Sequence, residues 1–307
     1  MKFPIFIFLF LLLNNLYSQE IKKTQSINDS STFEYNFKPE YNPLKRLGND
    51  LWIQLTSPFR MNGNDFIWFG AGSLITAGLL STDQSTYNYI SKGKERTKFF
   101  RKSSPVITKL GSSYGLISLA AFAGYSFLFN DSKAKETSFL AAESFLTSGI
   151  WIISVKLLTG RERPSAHNTS GSNDGGKWSG SFAYFRSKPK KSILFFDAFP
   201  SGHTASAFSI ATVIANQYNQ TFFVPALCYT VASLVGISRI AESTYWTSDV
   251  FVGAIIGYLC ASQIVHTNPS EYTRQYKSKT KSQLKFKTDF SLGIYDSSPA
   301  LLFNATF

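Results

Sequence analysis

The sequence has few of the residues that build disulfide frameworks and metal centres. It contains two cysteines and three histidines among 307 residues. Cys228 and Cys260 both lie inside apolar runs, where a free cysteine behaves as a small hydrophobic residue. This placement indicates neither a disulfide-rich scaffold nor a cysteine-based metal site, so we look to other side chains for the chemistry of the chain.

Acidic residues are also scarce relative to basic ones. There are 19 Asp and Glu residues against 31 Lys and Arg residues, which gives a formal net charge of +12. The cations follow no recognisable nucleic-acid-binding motif, so we expect no nucleic acid partner. Two basic clusters lie at residues 92–102 and 277–287. Such clusters either form solvated faces or attract anionic lipid head groups, and we count membrane lipids among the expected partners.

The first residues have the pattern of a secretory signal. Lys2 precedes an apolar stretch at residues 3–13, and Ser18 lies near the expected cleavage site. The stretch is too short for a comfortable membrane span. We predict a signal peptide at residues 1–18, with an uncleaved anchor as the alternative. The chain is therefore expected to be exported to the cell envelope, where it is either membrane-associated or periplasmic.

A polar segment at residues 19–50, predicted to be poorly ordered, precedes six apolar runs. The runs lie at residues 66–80, 110–129, 139–155, 205–218, 222–237 and 250–265. Their many Gly, Ala and Ser residues indicate closely packed helices, and no alternating strand pattern interrupts them. We predict an all-α fold class, a bundle of about six apolar helices in a domain at residues 51–267. Residues 268–307 form a basic tail in which a short β-hairpin is expected.

The apolar runs leave open whether the helices cross a bilayer. A span needs about 20 apolar residues, and only the run at residues 110–129 reaches that length. Glu143 lies inside the third run and needs a buried partner if that helix lies in lipid. Both basic clusters favour the cytoplasmic side, although six spans would place them on opposite sides. Membrane association is the favoured prediction, and a soluble helical bundle is the alternative.

Three short blocks lie where apolar runs meet polar loops. They are residues 156–164 (KLLTGRERP), residues 199–203 (FPSGH) and residues 238–249 (SRIAESTYWTSD). Helices that alternate in direction would bring these blocks to one side of the bundle. We therefore predict an active face formed by helix ends and loops on that side. Arg161 and Glu162, inside the first block, are predicted to be loop residues, with an extra phosphate contact as the alternative for Arg161.

These blocks supply the groups that a phosphate site needs. A phosphoryl group in transfer carries negative charge on three oxygens, so several cations and backbone donors must face it. Lys156, Arg163 and Arg239, here called the cation clamp, are candidates because an arginine binds two phosphate oxygens at once. Ser201 and Gly202 open an apolar run, where the free N–H groups of a helix start attract an anion. These five residues are the predicted phosphate-binding set.

Taken together, the blocks resemble the superfamily of type-2 phosphatidic acid phosphatases, bacterial acid phosphatases and vanadium haloperoxidases. Its pattern is a Lys, six residues and Arg-Pro; then Pro-Ser-Gly-His; then Ser-Arg, five residues, His, three residues and Asp. The matching positions are Lys156, Arg163, Pro164, Pro200, Ser201, Gly202, His203, Ser238, Arg239 and Asp249. The resemblance implies catalytic roles for His203, as the general acid, and for Asp249, which orients the nucleophilic histidine.

The one mismatch falls on the nucleophile. The resemblance places a nucleophilic histidine at position 245, where this sequence has Tyr245. None of the three histidines, His167, His203 and His266, can be aligned with that position. A phenol has a reference pKa of about 10 against about 6.5 for imidazole, so it attacks poorly at neutral pH without an activating base or cation. Catalysis through Tyr245 is therefore expected to be weak, and the alternative is residual activity with Tyr245 or His203 as the attacking group.

Three functional hypotheses follow from the resemblance. The first is a hydrolase for a phosphate ester or lipid phosphate, with no metal or other cofactor, whose turnover is weakened or lost because of Tyr245. The second is a non-catalytic pseudophosphatase that binds phosphate or a phospholipid head group. The third, a vanadate-dependent haloperoxidase, is disfavoured because the missing histidine coordinates vanadium in that branch. The sequence indicates neither the substrate nor the oligomeric state.

Overall fold

A computed structural model describes most of the chain between residues 43 and 306. The described residues are 43–92, 104, 107–109, 111, 113–164, 176–181, 196–267, 287–295 and 298–306. The predicted signal peptide, the polar segment up to residue 42, His167 and most of both basic clusters lie outside them. The chain divides into two compact units, Met1–His266 and Thr267–Phe307.

The described part of the first unit is a helical bundle. Its α-helices are α1 (Pro43–Thr56), α2 (Gly63–Lys92), α3 (Ser113–Leu128), α4 (Ser132–Thr159), α5 (Gly202–Gln217), α6 (Phe223–Ala241) and α7 (Thr247–Thr267), with a short 3-10 helix at Ser57–Arg60. Each of the six predicted apolar runs falls on one of the helices α2 to α7. The predicted all-α fold class is confirmed.

Helix α1 differs from the sequence-based expectation. It begins at Pro43, so the end of the segment predicted to be poorly ordered is helical. Polar side chains on one side of α1 explain this, because they bind the bundle. Gln54 accepts a hydrogen bond from Trp151 Nε1 of α4 at 2.8 Å and donates one to Gln263 of α7 at 2.8 Å. Contacts to partners so distant in the sequence cannot be read from local composition.

The same helix supplies the partner that Glu143 was predicted to need. Arg46 Nε lies 2.9 Å from Glu143 Oε2. The Arg46–Glu143 and Gln54–Trp151 contacts are separated by the same number of residues on both helices, so α1 runs parallel to α4. The acid in the third apolar run, whose side chain is 11% exposed, is therefore paired with a cation.

Among the residues that the structure describes, three helices are long and apolar enough to cross a membrane. They are α4, α6 and α7, judged by length and composition. The prediction that only the run at residues 110–129 reaches span length is wrong, because α4, α6 and α7 have 28, 19 and 21 residues, whereas the helix described in that run is Ser113–Leu128. Helix α4 has 28 residues because it continues through polar residues at both ends of its apolar run.

Glycines on α7 set the position of α5. Gly253 and Gly257 lie one turn apart, and a Cβ atom on either would collide with the carbonyl oxygen of Ser201 or of Ala205, respectively. Small residues at this spacing let two helix backbones approach closely. The backbone N–H of Ser201 also donates to the carbonyl oxygen of Asp249 at 2.9 Å. The start of α5 is thus fixed against the first turn of α7.

The second unit contains a two-stranded hairpin. Strand β1 (Lys287–Tyr295) pairs with β2 (Ser298–Thr306) in antiparallel register, from Lys287 opposite Thr306 to Tyr295 opposite Ser298. This is the part of the basic tail in which the alternating sequence predicts a hairpin.

Candidate functional site

Residues from all three sequence blocks surround one aromatic ring, that of Tyr245. Lys156 Nζ, Arg163 Cζ and Arg239 Cζ lie 5.3, 4.8 and 5.2 Å from the ring centre. The centre of the His203 ring lies 6.3 Å away. Tyr245 itself is only 3% exposed. The structure therefore brings the cation clamp, His203 and Tyr245 together, as the predicted convergence of helix ends requires.

The end of α4 positions the first block. Lys156 lies in the last turn, and the N–H of Gly160 donates to its carbonyl oxygen. Gly160 has φ 54° and ψ 45°, a left-handed conformation that glycine adopts without a Cβ penalty. The helix ends there, and Arg161 and Arg163 continue on the loop that leaves it.

The second block forms the start of α5. Ser201 is the N-cap residue, and its side chain accepts a hydrogen bond from the backbone N–H of Thr204. Gly202 and His203 are the first residues of the helix. The N–H groups of a first helical turn have no intrahelical partner and carry the positive end of the helix dipole. The predicted backbone contribution to anion binding has this structural basis at Gly202, whereas the backbone N–H of Ser201 is already bound to the carbonyl oxygen of Asp249.

Arg239, in the last turn of α6, forms an ion pair with Glu242, three residues further along the chain. Its Nη1 donates to Glu242 Oε2 at 2.7 Å. The other oxygen, Glu242 Oε1, accepts hydrogen bonds from Ser104 at 3.0 Å and Thr108 at 2.9 Å. Among the described residues, Nε of Arg239 is buried and has no hydrogen-bond partner. Nε of Arg239 is therefore a donor that the described residues leave unused.

Asp197 binds the other two cations of the clamp. Arg163 donates from Nε and Nη2 to the two carboxylate oxygens of Asp197, at 2.6 and 2.8 Å. Lys156 Nζ lies 3.7 Å from Asp197 Oδ2 and donates to the carbonyl oxygen of the same residue. Asp197 was not predicted as a site residue, because nothing in its local sequence distinguishes it from other loop acids.

Arg161 lies on the predicted loop but is buried. It is 4% exposed and donates to Asp249 Oδ1 at 2.6 Å, to Ser248 Oγ at 2.7 Å and to Asp83 Oδ2 at 2.8 Å. Asp83 comes from α2, far away in the sequence, and is 3% exposed. Arg161 is thus a buried cross-link between α2, the first block and α7, a role that the sequence analysis did not assign.

Both carboxylate oxygens of Asp249 accept hydrogen bonds, one within this cross-link and one from the backbone just before α7. Oδ1 accepts from Arg161, and Oδ2 accepts from the backbone N–H of Trp246 at 2.9 Å. An acid in the first turn that reaches back to the helix start is a capping arrangement. The hydroxyl of Tyr245 instead accepts from Arg163 Nη2 at 3.1 Å. Asp249 therefore orients the backbone next to Tyr245, while a clamp arginine contacts the phenol.

His203 is neutral in this environment at physiological pH. Its burial, and then the neighbouring Arg239, Arg163 and Lys156, lower its pKa to about 4, while Asp197 acts in the opposite direction. A neutral imidazole must gain a proton before it can act as a general acid. A phosphate dianion bound by the cation clamp would offset the three cations and raise the pKa of His203.

Glu242 is the one missed residue that a sequence signal could have revealed. It follows Arg239 by three residues at the end of α6, a spacing at which opposite charges on a helix meet. Asp83 gives no such signal, because its partner lies on a distant loop.

Comparison with known proteins shows a family match for part of the bundle. Residues 137–272 match the model of the PAP2 superfamily. This region contains every residue of the candidate site described so far except Asp83, Ser104 and Thr108. The superfamily resemblance predicted from the three blocks is confirmed for that region, which is somewhat less than half of the chain.

Two relatives carry the names of lipid phosphatases. The chain is 33% identical over 113 residues to lipid A 1-phosphatase of Porphyromonas gingivalis, which covers 34% of the chain and 25% of that protein. It is 30% identical over 144 residues to probable lipid phosphate phosphatase 4 of Arabidopsis thaliana, covering 42% of the chain and 47% of that protein. The chain thus spans less than half the length of either relative.

Two solved structures are also similar. The crystal structure of Aquifex aeolicus LpxE matches with a TM-score of 0.43 and 24% identity, over 60% of the chain and 94% of that protein. The transmembrane PAP2-type phosphatidylglycerolphosphate phosphatase from Bacillus subtilis matches with a TM-score of 0.43 and 17% identity, over 76% of the chain and 99% of that protein.

Proposed function

We propose that this chain is a PAP2-type membrane protein that binds the phosphate group of a lipid phosphate or another phosphomonoester in its cation clamp. Lys156, Arg163 and Arg239 converge on one point at the ends of α4 and α6, beside the first turn of α5. Three cations and the free N–H groups of a helix start form an arrangement suited to a phosphoryl group. This convergence is the observation that carries the proposal.

We further propose that turnover is weak or lost because Tyr245 replaces the histidine nucleophile of the superfamily. A hydroxyl nucleophile needs a neighbouring base to remove its proton. The Tyr245 hydroxyl accepts a hydrogen bond from Arg163, which is a cation and cannot act as a base. The carboxylate of Asp249 is already bound by Arg161 and the Trp246 N–H. The geometry therefore supports ligand binding better than it supports attack on phosphorus.

The lipid character of the ligand is supported by the surface of the bundle. The helices α4, α6 and α7 are long and apolar enough to cross a membrane. Large apolar side chains on these helices are exposed, among them Leu146, Ile153, Leu234, Ile237 and Leu259. The clamp lies at the ends of the same helices, where a lipid head group would meet it. Export through the predicted signal peptide and residence in the cell envelope belong to the same proposal.

A single substitution tests the proposed loss of turnover. We expect Tyr245→His to hydrolyse phosphatidic acid or an aryl phosphate at least about 100-fold faster than the wild type, because it restores a nucleophile that can attack at neutral pH. The assay measures phosphate release by protein purified in detergent. Tyr245→His combined with His203→Ala is the matched control and should lose the gain. A wild type as active as Tyr245→His would refute the proposal.

Binding assays separate the pseudophosphatase from a slow hydrolase. Phosphate binding that Arg239→Ala abolishes, with no hydrolysis by the wild type, supports the non-catalytic function. A burst of alcohol release with phosphate trapped on Tyr245 supports slow hydrolysis instead. A wild type that binds no phosphate at all would contradict both alternatives.

A further inference from the structure

We propose that the carboxylate of Asp197 is an internal ligand of the cation clamp, which an incoming phosphate group must displace. The inference rests on the proposed function, because it concerns the regulation of the same anion site. It predicts that the chain holds its own phosphate site partly closed and that loss of this one carboxylate increases phosphate affinity.

The contacts of Asp197 are those that a phosphate would make. Arg163 donates to both carboxylate oxygens of Asp197, at 2.6 and 2.8 Å, and Lys156 lies 3.7 Å from one of them. A guanidinium presents the same pair of parallel donors to a carboxylate and to two phosphate oxygens. The two anions therefore compete for the same N–H groups of Arg163 and the same ammonium group.

The position of Asp197 allows it to leave. Its side chain is 18% exposed, and it lies on the loop before α5 rather than within a helix. A carboxylate that moves a short distance from this position regains contact with water, so displacement does not bury an unpaired charge. Asp249, by contrast, is 0% exposed, and its release from Arg161 would leave a buried charge without a partner.

The other acid beside the clamp is held differently. Glu242 binds Arg239 and also accepts hydrogen bonds from Ser104 and Thr108. These extra contacts anchor Glu242, whereas the carboxylate of Asp197 contacts the two clamp cations Lys156 and Arg163. With both acids in place, the three clamp cations are opposed by two negative charges. Once Asp197 is displaced, the net charge of the site rises and better matches a phosphate dianion.

Competition by an internal ligand lowers the apparent affinity of an external one. If the clamp is available for only a fraction of the time, the apparent Kd is the intrinsic value divided by that fraction. A carboxylate held by charge-assisted hydrogen bonds of about 1.5–3 kcal/mol would reduce the available fraction about tenfold or more. Removal of the carboxylate charge should therefore tighten phosphate binding by about the same factor.

The test measures binding of inorganic phosphate to the full chain in detergent by isothermal titration calorimetry. We expect Asp197→Asn to bind phosphate at least about tenfold more tightly than the wild type. The control is Glu162→Gln, which removes the same charge from the residue next to Arg163 and should change the Kd by less than about twofold. Asp197→Ser is measured alongside and should show the same gain, in case the asparagine variant does not fold.

The possible binding results distinguish failure of the internal-ligand proposal from failure of the proposed function. If the wild type binds phosphate and both Asp197 variants bind it equally or more weakly, the internal-ligand proposal is wrong and the proposed function stands. An equal gain in Glu162→Gln would show a general charge effect and would also overturn the proposal. If neither the wild type nor the variants bind phosphate, the proposed function fails and the inference fails with it.

Discussion

Two arginines of the first block, Arg161 and Arg163, occupy neighbouring positions in the sequence and very different environments. Arg161 is 4% exposed and binds two buried acids, Asp83 and Asp249. The side chain of Arg163 is 15% exposed and binds Asp197, which is itself partly exposed. Both arginines make short ion pairs, yet only the partner of Arg163 can exchange for a ligand without leaving a buried charge behind.

The comparison shows what separates a structural arginine from a binding one within a single motif. The decisive property is the state of the partner after the contact breaks, rather than the strength of the contact. Asp249 without Arg161 would be an unpaired buried anion, which is strongly destabilising. Asp197 without Arg163 would be a solvated carboxylate, which costs little. The first block therefore joins a structural cross-link to a ligand site.

The largest expected effect comes from breaking the buried cross-link. Arg161→Gln should lower the free energy of unfolding by about 3–5 kcal/mol, because it leaves Asp83 and Asp249 buried without their cation. The measurement is the thermal unfolding midpoint of the detergent-solubilised protein, followed by circular dichroism. Arg163→Gln is the matched control and should shift the midpoint much less. Equal shifts for the two variants would contradict the distinction between the arginines.

For phosphate binding, in contrast to stability, substitution of Arg163 should have a larger effect than substitution of Arg161. Arg163→Gln is expected to weaken phosphate binding about 10–100-fold, because charge-assisted hydrogen bonds contribute about 1.5–3 kcal/mol. Calorimetric titration with inorganic phosphate measures the change, and Glu162→Gln controls for substitution in the same loop. The distinction would be lost if Arg163→Gln kept wild-type affinity, since Arg163 would then be a structural residue as well.

Much of the fold could be predicted because its signals are local. The apolar runs on α2 to α7 and the blocks at their ends are visible in the sequence, and helices of alternating direction place those ends together. Helix α1 could not be predicted, because its order depends on contacts of Arg46 and Gln54 with residues of α4 and α7. Its exposed face and polar composition suggest disorder when the partners are unknown.

The candidate site also divides into residues with a local sequence signal and residues whose roles depend on distant contacts. The cation clamp and His203 were predicted because they belong to contiguous motifs with fixed spacing. Asp83 and Asp197 were missed because an acid that neutralises a cation across the fold has no spacing signature. The role of Arg161 was missed for the same reason, since a loop arginine becomes a buried cross-link only when both of its acids are known.

The smallest expected effect concerns the positive charge that Arg163 places near His203. Arg163 is among the cations that lower the pKa of His203 to about 4. Loss of a neighbouring positive charge favours the protonated imidazole, so Arg163→Gln should raise the pKa of His203. The titration of histidine-labelled protein by NMR measures this, and His203→Gln identifies the resonance.

The direction of this shift also has a consequence for stability. A histidine whose pKa is lower in the folded than in the unfolded state contributes stability above its unfolded pKa of about 6.5, and that contribution is lost as the pH falls toward 4. Arg163→Gln should narrow the gap between the two pKa values and so reduce the part of the acid-induced loss that His203 causes. If His203 has the same pKa in the wild type and in Arg163→Gln, the charge of Arg163 does not affect the imidazole. Phosphate bound to Arg163 would then not raise the pKa of His203, and His203 would stay neutral instead of serving as a general acid.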